Sequence, residues 1–424
     1  MAISVRYIYS ACIVTSTADI RLLHDPWFTD GIYDGSWFQF PKMANPVDLI
    51  GDVDSVFVSH IHPDHYDPVF LRSYFDRYGE KPILIADHPS THLAAKMKAD
   101  GFKPTTLRTP MQVGATCIEI VPHITGSVSD IDAAMVIKSA GPDRIHCVVN
   151  ANDIRFDDAM RLKLKDAAGD IDILACGYTG AGPYPQTYFD IEDPQLAAEA
   201  QAKKQRFLDG YLLLTQYMGA KVNLPFAGQY LLGGGLTRLN LFRGVADAVE
   251  VLNIDPRAIV LAEGGEIDTE RLIPSDKRLT SFTSVAQLER EAEIASAEMS
   301  FERLMRAEEI GQLPLRRLLR RAARNAAAKS ECIEDYFFCI ALPDGSRADI
   351  NARRATAENI DFVNEDAPLP SPRSVVSIDP RYLFGLLTGL YHWNNAEVGS
   401  QYQTRREPNL FNLSAQSFLN YLAV

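Results

Sequence analysis

The chain has little of what several protein classes need. Its net charge of −13 over 424 residues leaves no cationic surplus. A nucleic-acid backbone demands clustered cations, so bulk nucleic-acid binding is not expected. No apolar run reaches the roughly eighteen residues of a membrane span, and the first residues lack a charged segment followed by an unbroken apolar core. The six cysteines (Cys12, Cys117, Cys147, Cys176, Cys332 and Cys339) include no C-x-x-C pair. Most stand in apolar runs and read as small core residues of a reducing compartment, the cytoplasm. No Cys-x-His is matched by a Cys-x-x-His, so no Rieske cluster is encoded. The stretch from Gly177 to Pro185 has neither the dinucleotide-binding spacing nor a Walker lysine. Histidine is scarce too: nine in all, and beyond Asp153 only His392. What remains is a globular composition, 46% hydrophobic and 23% charged, in a chain long enough for one large domain and an appendage.

Against that scarcity, His60, His62 and His65 fall within six residues, in Ser59-His60-Ile61-His62-Pro63-Asp64-His65-Tyr66. Residues 54–59 are β-branched and aromatic enough for a buried strand, and Pro63 then blocks regular structure. The histidines therefore sit on a loop just past a strand end, where imidazoles and a carboxylate can converge on a divalent ion. Three later segments repeat the arrangement. A strand over 116–121 delivers His123, one over 145–150 delivers Asn152, Asp153 and Arg155, and one over 171–176 delivers the glycine-proline loop with Tyr178 and Tyr184. That loop reads equally as substrate rim and as turn chemistry. His88 and His92 lack the His-Glu-x-x-His form and read as surface or supporting residues.

His60-x-His62-x-Asp64-His65 resembles the signature of the metallo-β-lactamase superfamily. The resemblance implies an αββα sandwich, class α+β, with a metal cleft along one sheet edge. It implies His60, His62 and His123 on a first ion, Asp64 and His65 on a second, and Asp153 bridging. The opening Asp25-Pro26-Trp27-Phe28 is similar to the branch that includes L-ascorbate-6-phosphate lactonase and CMP-N-acetylneuraminate hydroxylase, as are the segments from Pro225 to Gly228 and from Trp393 to Gly399. Asp25 then either makes a structural turn or orients a metal-binding histidine. The chain departs from the superfamily pattern in one place. The late histidine is missing, and the expected position reads Asn223-Leu224-Pro225-Phe226-Ala227-Gly228-Gln229. A second ion is then weakly held, absent, completed by Gln229 or water, or closed by His392. One or two divalent ions are expected, zinc first, with iron or manganese as alternatives.

The expected chemistry is hydrolysis, with Asp64 and Asp153 as the working carboxylates, on an anionic or sugar-derived small molecule carrying an ester, lactone or phosphoester. A diiron hydroxylase needing a separate redox partner, a phospholipase D-like phosphodiesterase and a non-catalytic metal-binding protein are the alternatives. The expected organisation is a catalytic domain over 1–275, a helical connector over 276–330 and a small α+β domain over 331–424. The connector should hold one long amphipathic helix over 284–310, started by a capping box at Ser284 and Gln287. A second helix from Pro314 carries Arg316, Arg317, Arg320, Arg321 and Arg324 among leucines and alanines. These arginines are expected to pack and pair on the body, without membrane contact. A homo-oligomer remains open.

Overall fold

The computed structural model describes residues 2–126, 130–275, 284–355 and 358–424. Two mixed sheets face each other. The first has seven strands, in the order Glu266–Asp268, Ser4–Tyr9, Cys12–Ser16, Arg21–His24, Ser55–Phe57, Ile83–Ala86 and Pro104–Leu107. The second has six: Val222–Phe226, Ile173–Gly177, Ile145–Asn152, Ala133–Ala140, Thr116–Pro122 and Met111–Val113. Each begins as an antiparallel meander and continues with parallel strands. The parallel strands Ser55–Phe57, Ile83–Ala86 and Ile173–Gly177 are buried on both faces, and Ile83–Ala86 and Ile173–Cys176 accordingly run apolar without alternating. Along Ile145–Asn152, Val148 points between the sheets while Cys147 and Val149 point outward.

The inter-sheet core joins Val5, Ile13 and Phe57 of one sheet to Ile137, Val148 and Ile173 of the other. Helices Pro68–Tyr78 and His92–Ala99 cover the outer face of the first sheet, packing Leu71, Tyr74 and Met97 against it. Helices Asp158–Ala168 and Leu196–Met218 cover the second with Leu164, Tyr211 and Leu214. This is an αββα sandwich. Two of its helices start on side-chain caps beside the motif segments. Asp67 accepts from the backbone of Val69 and Phe70, and Asp157 from that of Met160.

The boundary expected at 275/276 and the Ser284 capping box lie at or outside the edge of the described residues. The long helix expected over 284–310 is instead three pieces: Ser284–Ile294, Ser300–Leu304 and a 3₁₀ segment Ala307–Gln312. The break is tertiary. The chain around Ala297 and Met299 lies so close to Gly35 and Gly234 that a Cβ at either glycine would meet backbone at 2.9 and 2.5 Å. Helix Leu315–Lys329 buries Leu315, Leu319, Ala322, Ala323 and Ala326 on a five-stranded sheet. That sheet runs Ile360–Asn364, Ser346–Asn351, Phe337–Ala341, Arg373–Ile378 and Tyr402–Glu407. Arg316 pairs with Asp344 at 2.9 Å, and Arg316 and Arg320 lie over the Phe362 ring. No helix among the described residues is long and apolar enough to cross a membrane.

This C-terminal unit grips the body at one turn. Tyr33 and Asp34 have φ of +51° and +61°, a left-handed conformation that costs a non-glycine residue about 1 kcal/mol or more. The Gln401 amide donates to the Tyr33 carbonyl at 2.9 Å, and the Tyr382 hydroxyl to Asp34 at 2.7 Å. The turn so held carries a side chain into the site.

Candidate metal centre

The motif loop leaves Ser55–Phe57 and is fastened at once by Asp25. Asp25 is fully buried, has φ of +42°, and accepts from the Ser59 N–H at 2.7 Å through Oδ1. Its other oxygen lies 3.3 Å from His65 Nδ1. His65 Nδ1 therefore lies between Asp25 and the Ser59 hydroxyl, 3.4 Å away, and Nε2 faces Asp64 and Asp153 at 3.5 and 3.6 Å. A carboxylate behind an imidazole is the arrangement that fixes a ligand histidine's tautomer. His60 is turned the same way, with Nδ1 3.0 Å from the Ser59 hydroxyl and Nε2 2.9 Å from His62 Nδ1. His62 in turn sets Nε2 against the Asn394 carbonyl oxygen at 3.0 Å, which leaves Nδ1 as its lone-pair nitrogen.

Asp25, Ser59 and Asn394 thus hold the outer sides of His65, His60 and His62. Ligand atoms of His60, His65 and Asp153 lie within 4.8 Å of one another. Asp153 Oδ1 is buried without a hydrogen-bond partner, the signature of a carboxylate set for an ion. Asp64 Oδ1 accepts from the Tyr33 hydroxyl at 2.5 Å. The electrostatics of His60 agree, while those of His65 favour the protonated ring until a cation stands between it and the carboxylates. Burial, then the charge of His65, pushes His60 down to about 4, keeping it neutral. His65 and Asp153 form a coupled pair. Burial works against both charges, yet the carboxylates raise His65 well above its ordinary value, and His65 and His60 hold Asp153 well below the carboxylate range.

Other expected site residues stand elsewhere. His123 follows its strand as anticipated, but its Nε2 turns to Asp157 at 3.2 Å, and it is not brought into the group. Its backbone is tied to the Asp132 carbonyl at 2.9 Å, and the helix-capping carboxylate of Asp157 offers the ring a partner on that side. Asn152 has φ of +55° and spends its side chain on the backbone, accepting from the Asp153 N–H at 2.8 Å and donating to Ala133. It orients the chain at Asp153 rather than the carboxylate or a substrate. Gln229 accepts from the Tyr7 hydroxyl at 3.3 Å. His392 is exposed and caps its helix, accepting from the Asn394 N–H at 3.2 Å. The C-terminal unit does reach the centre, but through its neighbour Asn394.

The glycine-proline loop forms a rim. A Cβ on Gly177 would press on the Asp153 backbone at 3.2 Å. Tyr184 and Tyr188 line a cavity of about 720 Å³ with Asp153 and Arg155 in its wall. Tyr178 is core, 1% exposed. Arg155 stacks its guanidinium 5.2 Å from the Phe207 centroid. Sequence reasoning passed over Tyr33, whose only signal was its place in an aromatic, glycine-rich stretch.

If Asn394 holds the His62 tautomer, N394A is expected to lower metal affinity about tenfold, the low end for outer partners of ligands. N394D keeps the accepting oxygen and should retain it. Competition with a chelating dye checks both, and equal affinity in N394A would end the claim.

An αββα sandwich with such a histidine–carboxylate group at one edge is of the metallo-β-lactamase type. No family model matches the chain. It is 32% identical over 222 residues to a putative Rieske 2Fe-2S iron-sulfur protein of Mycolicibacterium smegmatis, covering 49% of this chain and 40% of that protein. It is 23% identical over 241 residues to the cytidine monophosphate-N-acetylneuraminic acid hydroxylase of Asterias rubens, covering 54% and 35%. The match thus spans two-fifths or less of these relatives' length. Among solved structures, Igni18, a metallo hydrolase from Ignicoccus hospitalis, superposes with a TM-score of 0.43 at 15% identity, over 63% of this chain and 98% of that one.

Proposed function

We propose that this protein is a metal-dependent hydrolase acting on an ester, lactone or phosphoester of a sugar or nucleotide-sugar type molecule. The observation that carries this reading is the convergence of His60, His65 and Asp153, with His62 against His60 and Asp64 against His65, beside a cavity with Asp153 in its wall. A divalent ion bound by these groups, zinc foremost, supplies Lewis-acid polarisation and a water of lowered pKa. The chain's own groups do the rest. Asp64, steadied by the Tyr33 hydroxyl, is placed to accept the proton of the attacking water. Asp153 flanks the reacting bond from the cavity side, and Arg155 meets an anionic part of the substrate. Six unpaired cysteines fit a reducing cytoplasm.

A diiron hydroxylase is the second reading, favoured by the likeness to the Asterias hydroxylase. It requires dioxygen and an electron donor. Elemental analysis of protein purified without added metal separates the two. Near-stoichiometric zinc, with turnover of an activated ester or phosphodiester, is the expected result. Two irons with reductant-dependent oxygen consumption favours the second reading, and folded protein without metal sinks both.

A further inference from the structure

The cavity beside Asp153 holds a cation without a counter-ion. Lys203, on helix Leu196–Met218, is only 4% exposed. Its ammonium lies 3.4 Å from the Gly182 carbonyl, and among the described residues no carboxylate forms an ion pair with it. The next residue shows the ordinary alternative, since Lys204 pairs with Glu250 at 2.6 Å. Around Lys203 stand Arg155, Arg206 and Arg243; burial, then these like charges, brings the ammonium down to about 7. Arg243 is occupied, donating to the Tyr230 carbonyl at 2.6 Å over that residue's ring. Arg155 and Arg206 line the cavity with Lys203 and have no carboxylate partner among the described residues. A buried lysine among arginines is unfavourable unless an anion completes the set.

The surroundings are built for this placement. A Cβ on Gly180 would fall inside the Phe207 ring, and one on Gly244, whose φ is +64°, would come within 2.6 Å of the Ala200 carbonyl and 3.1 Å of the Lys203 stem. Both glycines let loops close over the helix just where it presents Phe207 and Lys203. The volume, about 720 Å³, suits a small molecule. Phe207 and Tyr188 line the cavity with Arg155 and Arg406 over their rings, and Glu397 is also in its wall.

We propose that Lys203, Arg155 and Arg206 bind a phosphoryl group of the substrate, placing the rest of the molecule between Phe207, Tyr188 and the Asp153 edge of the metal centre. Two guanidinium forks and one ammonium match the charge and the several acceptor oxygens of a phosphoryl group, whereas a single carboxylate leaves the set under-neutralised. The inference rests on the reading of the His60–Asp153 group as the metal centre, and it assigns the substrate to phosphorylated small molecules.

Calorimetric titration with inorganic pyrophosphate tests it on the whole chain, as isolated and as H60A. Pyrophosphate is expected to bind both proteins, and K203M and R206A each to weaken binding about tenfold or more, the scale of one charge-assisted hydrogen bond. Metal content should be unchanged in K203M and R206A. Arg206 is exposed, so R206A does not endanger the fold. H60A separates the two claims: normal metal content there sinks the metal centre and leaves the subsite standing. Pyrophosphate binding lost in H60A, insensitive to K203M and R206A, or matched by malonate would overturn the subsite.

Discussion

Replacing His65 by alanine is expected to strip the metal and cut turnover more than about a hundredfold, beyond the 10–100-fold typical of outer partners. His65 is the hinge of the charge arrangement. One nitrogen faces buried Asp25 at 3.3 Å, and the other faces Asp64 and Asp153 at 3.5 and 3.6 Å. Its loss leaves three carboxylates without the group that separates them, two of them around an ion now short of a ligand. Because Asp25 is fully buried, the variant should also be less stable, by about 3–5 kcal/mol if the pair behaves like other broken buried pairs. Metal stoichiometry therefore has to be read beside circular dichroism. His65→Gln keeps a side chain between the carboxylates and separates loss of the ligand from loss of the fold. Wild-type metal content in folded H65A would remove His65 from the centre.

What the sequence made legible followed local rules. The motif loop after a strand and the strand delivering Asp153 both rest on short-range pattern and turn chemistry. The αββα layering followed from the resemblance, and the strands buried on both faces agree with it. What escaped was set by distant contacts. His123 stands at the expected strand end, yet the direction of its ring is decided by Asp157, a residue chosen to start the next helix. The cluster of His392, Trp393 and Asn394 can be singled out as able to reach the cleft, though a surface helix end is the simpler reading, and no periodicity announces that Asn394 meets His62 across 332 positions. Lys203 and Lys204 read as usable for an anionic substrate or, more simply, as a solvated helix face, and only the loops lowered over Lys203 at Gly180 and Gly244 make it buried. The long connector helix is favoured by its apolar spacing but broken by chain packed on Gly35 and Gly234. Propensity set each segment's preference, and crowding by other segments decided where it yielded.

Asp25→Asn separates position from tautomer, and its expected effect is a 10–100-fold loss of metal affinity, on the order seen for carboxylates behind ligand histidines, with little change in melting temperature. Asparagine tolerates the left-handed φ of +42° nearly as well as aspartate, so the turn survives. Its carbonyl oxygen can still accept from the Ser59 N–H, now at 2.7 Å, so the motif loop stays fastened. The amide NH₂ then takes the place of the oxygen 3.3 Å from His65 Nδ1. An NH₂ donates, so Nδ1 must accept and the proton moves to Nε2, the nitrogen that faces Asp64 and Asp153. A protonated Nε2 cannot ligate an ion. Asp25→Ala instead leaves the buried Ser59 N–H unpaired, at about 1–3 kcal/mol, and should lower stability and affinity together. Chelator competition and thermal melting on both variants decide the matter. If D25N binds metal as the wild type does, Asp25 is a turn residue and nothing more; if D25N loses metal while keeping its melting temperature, the proton on His65 is what Asp25 controls.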